Sequence, residues 1–131
     1  MRYATVCLIF VFGCAPFSPS DATRVDPPPQ FRVWWGEMES CSSLRSNYDR
    51  ISWYVVDGDS FNTPDGDSWG WWTTDHDIYI SRRVYDWTVL PVDSNTTTIY
   101  SVVVKHEMLH ELIGHEGHPA IPFETPCNVM M

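Results

Sequence analysis

The stretch from Thr98 to Ile113 constrains this chain most, because it is apolar on almost every side of a helix. Ile99, Val102, Val103, His106, Leu109, His110 and Ile113 fall at i, i+3, i+4 and i+7 spacing. Tyr100, Val104, Met108 and Leu112 fill the opposite side. So little polar surface is left that the helix must be buried from several directions, at the centre of a domain. Ser94-Asn95-Thr96-Thr97 supplies N-cap residues before it, and Gly114 stands where a left-handed C′ residue ends a helix.

The same helix carries chemistry. It reads His106-Glu107-Met108-Leu109-His110, and four of the five histidines lie between residues 106 and 118. Residues i and i+4 of a helix share a face, so His106 and His110 reach one tetrahedral zinc ion. Glu107 adjoins the first ligand without being one; in zinc peptidases a Glu in this place takes a proton from the metal-bound water and passes it to the leaving amine. For a third ligand His118 comes first: Gly114 and Gly117 let the chain turn back, and Pro119 stiffens the approach. His115 is the second choice, with a helix-dipole reason of its own to stand there. Glu116, Glu111 and Glu124 follow. A Glu from a later helix is disfavoured, because 13 residues follow His118 in a chain of 131.

The chain is long enough for one domain and too short for two cores. Seven Trp, six Tyr and six Phe supply much buried area per residue. The net charge of −9, with eight Lys and Arg scattered along the chain, argues against a nucleic-acid partner. Met1-Arg2 followed by apolar Tyr3 to Phe12 reads as a signal peptide, too short to span a bilayer. Val11-Phe12-Gly13-Cys14 resembles a bacterial lipobox. Residues 1–13 are therefore expected to be removed and Cys14 to be lipidated, with plain secretion as the alternative. A lipid at Cys14 is the one membrane contact expected of an otherwise monomeric, extracytoplasmic protein. Cys41 and Cys127 then remain in the exported chain, and the simplest expectation is that they pair. Such a bridge closes a loop of about 85 residues, worth roughly 4 kcal/mol.

Residues 14–30 read as a proline-rich linker, which places the domain at 31–131. Phe31 to Glu39 is expected to be a first strand and Arg50 to Asp57 the best strand, with Ile51, Trp53 and Val55 on one face. Asp57 to Asp67 reads as a loop in which Asp57-Gly-Asp59 and Asp65-Gly-Asp67 are turn chemistry rather than calcium sites. Trp69 to Thr73 and Asp77 to Ser81 read as a hairpin, and Arg82 to Val92 is ambiguous. His76 reads as a surface residue. Tyr54, Tyr79, Tyr85 and Tyr100 are undifferentiated candidates for a transition-state donor.

On His106-Glu107-Met108-Leu109-His110, with His118-Pro119, Phe123 and Cys127 downstream and Trp34-Trp35, Cys41 and Trp53-Tyr54-Val55 upstream, the chain resembles the zincin metallopeptidases. More narrowly it resembles a group of small bacterial zincin-like lipoproteins, over residues 33–128. The resemblance implies an α+β fold with a small twisted sheet packed on the motif helix, bound Zn2+, and hydrolysis of peptide bonds in a peptide or protein substrate. The sheet edge beside the helix would hold that substrate as an added strand. One departure matters: the metzincin pattern H-E-x-x-H-x-x-G-x-x-H needs glycine at position 113 and histidine at position 116, where this chain has Ile113 and Glu116. Two alternatives stay open, a non-catalytic zinc-binding protein and an aromatic-rich binding module, with Trp69, Trp71 and Trp72 lining a cleft, whose zinc is structural.

Overall fold

The structure, a computed structural model, describes residues 17–90 and 99–131. The signal-peptide segment, Cys14 and the Ser94 to Thr97 caps lie outside the described residues. The fold is α+β. A four-stranded sheet has the order β1 (Ala22–Val25), β2 (Ser52–Val56), β6 (Asp77–Ser81), β5 (Gly70–Trp72), and a separate hairpin joins β3 (Phe61–Thr63) to β4 (Gly66–Ser68). β2 and β6 run parallel, while β1 and β5 are antiparallel to their neighbours. Three helices matter for the core, α1 (Pro29–Ser42), α2 (Arg82–Val89) and α3 (Ile99–Ile113), and a short turn, α4 (Ala120–Phe123), lies in the tail.

Helix α3 is the buried centre the sequence demands. It packs against α1, α2 and β5, and Val103, Val104, Met108 and Leu109 are fully buried. It ends where expected: Gly114 adopts φ +75°, and its amide donates to the His110 carbonyl at 2.8 Å. The β2 strand also follows its pattern. Ile51, Trp53 and Val55 join the main core with Phe31, Ile78 and Ile80. Val56, with half-buried Tyr54 beside it, turns to a second cluster with Phe61 and Tyr79, so both faces of the sheet are covered. The β5–β6 hairpin forms as read, with Thr73 and Asp77 bonded at its mouth.

Two expectations are corrected. Phe31 to Glu39 is not a strand but lies within α1. Val33, Trp34 and Trp35 favour a strand locally, but Phe31, Trp35 and Met38 at i, i+4 and i+7 are the residues that become buried, while Val33 stays 56% exposed. Pro29 at the first helical position fits that start. The stretch read as linker also contributes structure. Ala22 to Val25 pairs with Val56 to Trp53 as β1, although its side chains show no apolar alternation; backbone pairing with an open sheet edge needs none.

Cys41 and Cys127 form the expected disulfide, which joins the last turn of α1 to the tail. Among the described residues no helix is long and apolar enough to cross a membrane.

Candidate metal centre

The i, i+4 spacing puts His106 and His110 on one face of α3, and the turn at Gly114 brings the chain back so that His118 joins them. The Nε2 atoms lie 2.9 Å (His106–His118), 3.1 Å (His110–His118) and 3.1 Å (His106–His110) apart. Among the described residues this is the group of side chains able to hold a metal ion. His115 is not in it. Its ring Nδ1 instead accepts from the Gly117 amide at 3.0 Å, and its backbone carbonyl takes the His110 Nδ1 proton at 2.9 Å. Glu116 lines the neighbouring cavity without joining the group, and Glu111 faces elsewhere.

Hydrogen bonds fix the tautomers of the two buried rings. His106 Nδ1 donates to the Val129 carbonyl at 2.8 Å and His110 Nδ1 to the His115 carbonyl. A carbonyl only accepts, so each Nδ1 carries the proton and each Nε2 presents a lone pair. Burial lowers the His110 pKa to about 4 and lowers that of His106 as well, so both rings are neutral near pH 7. Their Nε2 atoms therefore face each other at 3.1 Å with no proton between them, a contact that is repulsive unless a cation sits against it. The donor set fits a divalent transition metal. Ligand atoms on a tetrahedral ion with bonds of about 2.0–2.1 Å stand roughly 3.3 Å apart, close to what is seen. Held by these three residues, a tetrahedral ion would have a fourth position for water or substrate.

The tail builds the floor of this site. Phe123 packs under all three rings, with centroids 4.9–5.1 Å away, and Val129 supplies the carbonyl that fixes the His106 tautomer. Both flank Cys127, so the disulfide adds a covalent tie between this floor and α1.

Strand β5 supplies the wall. The Trp72 ring stacks on His110 (centroids 6.1 Å, 20°), its indole N–H donates to Glu111 at 2.6 Å, and its backbone amide donates to Glu107. The fully buried Glu111 carboxylate also takes Arg50 Nε at 2.6 Å and contacts His76 Nδ1 at 3.0 Å. Glu111 is thus not a ligand: its carboxylate anchors Trp72, and His76, whose side chain is 41% exposed, meets that carboxylate from the surface as expected. Glu107 itself is buried, and desolvation pushes its carboxyl up to about 8 against the opposing pull of the Trp72 amide.

Glu107 closes over Gly70. A Cβ built at residue 70 would stand 2.7 Å from Glu107 Oε1, 2.9 Å from its Cγ and 3.0 Å from Val103. Gly70→Ala is therefore expected to lower unfolding stability by about 1–3 kcal/mol through overpacking, measured by urea denaturation; an unchanged midpoint would show that this close approach is absent in solution.

A cavity of about 210 Å3 opens beside the cluster, lined by His106, Glu107, His110 and His118 with Asp65, Trp71, Trp72 and Glu116. No tyrosine lines it; Tyr54 and Tyr79 stack on each other in the second cluster and Tyr100 meets Arg83. The outward edge of β5 is already occupied. Ser68 Oγ binds both the carbonyl (2.7 Å) and the amide (3.4 Å) of Gly70, and Glu107 takes the Trp72 amide. An added substrate strand therefore finds little ladder there, and the cavity is the better seat.

The shifted groups set a pH dependence for the metal-free protein. Glu107, raised to about 8, contributes stability at low pH that is lost as pH rises from its unfolded value near 4.5 to 8. His110, lowered to about 4, and His106, lowered by burial, contribute stability that is present above pH 6.5 and is lost as pH falls below it. Just below pH 6.5 the two histidines together oppose the one glutamate. Chelator-treated protein is expected to be most stable between about pH 6 and 7, a maximum that denaturation at a series of pH values locates.

No family model, curated protein or solved structure matches the chain.

Proposed function

We propose that the protein is a zinc-dependent metallopeptidase working outside the cytoplasm. The observation that carries this reading is the convergence of three histidine Nε2 atoms on one cavity whose wall includes the buried carboxyl of Glu107. His106, His110 and His118 would hold the ion. Zinc, when bound, acidifies a water and polarises a carbonyl in the position the protein leaves open.

The rest is the work of the chain. Glu107 lies next to the ligand face, sealed from bulk water and oriented by the Trp72 amide. As a carboxylate beside the ion's site it would accept a proton from the attacking water and deliver it to the departing amine. Phe123 packs under all three imidazoles and Trp72 stacks on that of His110, which supports ligands held in place before substrate arrives. The Cys41–Cys127 disulfide supports an oxidising, extracytoplasmic setting.

The test is metal content and cleavage measured together. Purified protein is expected to carry one zinc per chain and to cleave members of a mixed peptide library. Cleavage should stop on chelation and return when zinc is restored. Stoichiometric zinc with no cleavage of any library member would move the protein to the non-catalytic zinc-binding reading.

A further inference from the structure

We propose that Glu111 is a positioning residue of the metal centre, acting through Trp72 on the His110 imidazole and on the Glu107 carboxyl together. For Glu107 the inference rests on the peptidase reading, and it adds to that reading a residue outside the ligands and the base. Glu107 and Glu111 stand at i and i+4, so both look out from one face of α3. Both meet the same residue of β5. Glu107 takes the Trp72 backbone amide, and Glu111 takes the Trp72 indole N–H at 2.6 Å. The same indole lies against His110, with centroids 6.1 Å apart and planes 20° from parallel. Trp72 is thus pinned at backbone and side chain by the helix that carries two of the ligands.

The Glu111 carboxylate is itself held from several directions. It is 1% exposed. Arg50 Nε donates to Oε1 at 2.6 Å and Trp72 Nε1 to Oε2 at 2.6 Å, while His76 Nδ1 lies 3.0 Å from Oε1 and 3.2 Å from Oε2. Arg50 comes from the short turn before β2, Trp72 from β5, and His76 from the turn between β5 and β6. A buried ion pair seldom stabilises a fold more than apolar residues of the same volume would. What apolar residues would not supply is a fixed direction for the indole. That direction reaches the site twice. It sets the plane beside His110, an imidazole whose Nδ1 is already tied to the His115 carbonyl. It also holds the strand against which Glu107 lies: a Cβ at Gly70 would stand 2.7 Å from Glu107 Oε1, so the carboxyl has no slack if β5 shifts. Outer groups that orient ligands in this way are worth about 10–100-fold in metal affinity or activity.

The experiment compares the full chain as wild type, Glu111→Gln, Trp72→Phe and the double variant, each well below its melting temperature. Gln has one accepting oxygen where Glu111 uses two. Phe keeps an aromatic face for His110 and a backbone amide for Glu107, and lacks the indole N–H. Zinc affinity is read by competition with a chromophoric chelator, and kcat and KM from peptide cleavage at saturating zinc. Each single variant is expected to bind zinc about tenfold more weakly and to lose about tenfold in kcat, with KM within about twofold. The double variant should lose no more than the worse single one, because both changes act on one contact. A merely structural role would lower the melting temperature and leave the zinc affinity and kcat of the folded protein where they are. That result overturns the proposal, and so does a double variant whose losses multiply. If Glu111→Gln does not fold, Trp72→Phe decides, and wild-type zinc affinity in it overturns the proposal. Wild type that cleaves no peptide overturns the peptidase reading instead, and is told apart because zinc affinity decides the part played by Glu111 without turnover.

Discussion

Glu107→Gln is expected to retain one zinc per chain and to lose about 10²–10⁴-fold in kcat, the usual worth of a positioned general base. The side chains are isosteric, and a Gln oxygen can still accept the Trp72 amide proton that Glu107 accepts. Burial already favours the uncharged carboxyl, so a neutral amide costs the fold little in that place. What it removes is a group able to take up and release a proton. The loss should therefore fall on kcat with little change in KM, and the melting temperature and zinc content should hold. Steady-state kinetics alongside metal analysis decides it. Unaltered kcat in the variant would show that the proton is handled by another group, and the leading role given to Glu107 would fall.

The parts of the fold legible in the sequence are those whose information is local. The α3 helix announces itself through apolar residues around its whole circumference and a stop at Gly114, and its motif fixes His106, Glu107 and His110 within one turn. The β5–β6 hairpin is similarly written in two short aromatic and aliphatic runs around a polar turn. The error at α1 has a specific cause. Val33-Trp34-Trp35 has strong strand preference, and the longer period of Phe31, Trp35 and Met38 that overrides it becomes decisive only when the opposing core is known. β1 is hidden for a different reason: none of its residues is fully buried, and its place is held by backbone bonds to β2.

What surrounds the histidines was the least legible. Glu111 draws on Trp72 and His76, 39 and 35 residues upstream, and on Arg50, 61 residues upstream. No spacing rule links such positions. The disulfide itself followed from counting cysteines in an exported chain. Its consequence, that Phe123 and the Val129 carbonyl are thereby held under the imidazoles, needed coordinates. A usable signal did exist in the helix: Glu111 is a charged residue on a segment with no solvent face, and a buried carboxylate must have partners somewhere.

His118→Ala should weaken zinc binding by about 10²–10³-fold, while His115→Ala should leave it within a few-fold. Apparent binding free energies of about 10–16 kcal/mol in four-ligand sites amount to roughly 3–4 kcal/mol per ligand, and each 1.4 kcal/mol is a factor of ten. His118 contributes one of three converging Nε2 atoms, so its removal deletes a ligand and leaves His106 and His110 alone. His115 serves the site through its backbone. Its carbonyl fixes the His110 tautomer, and alanine keeps that carbonyl. What His115→Ala removes is the ring nitrogen that caps the Gly117 amide on an exposed turn, a loss that water repairs. Competition against a chromophoric chelator measures both affinities on the same scale. The reverse ranking, with His115→Ala the damaging change, would mean that the loop after Gly114 seats a different imidazole against the ion, and the cavity wall that contains Glu116 would have to be redrawn with it.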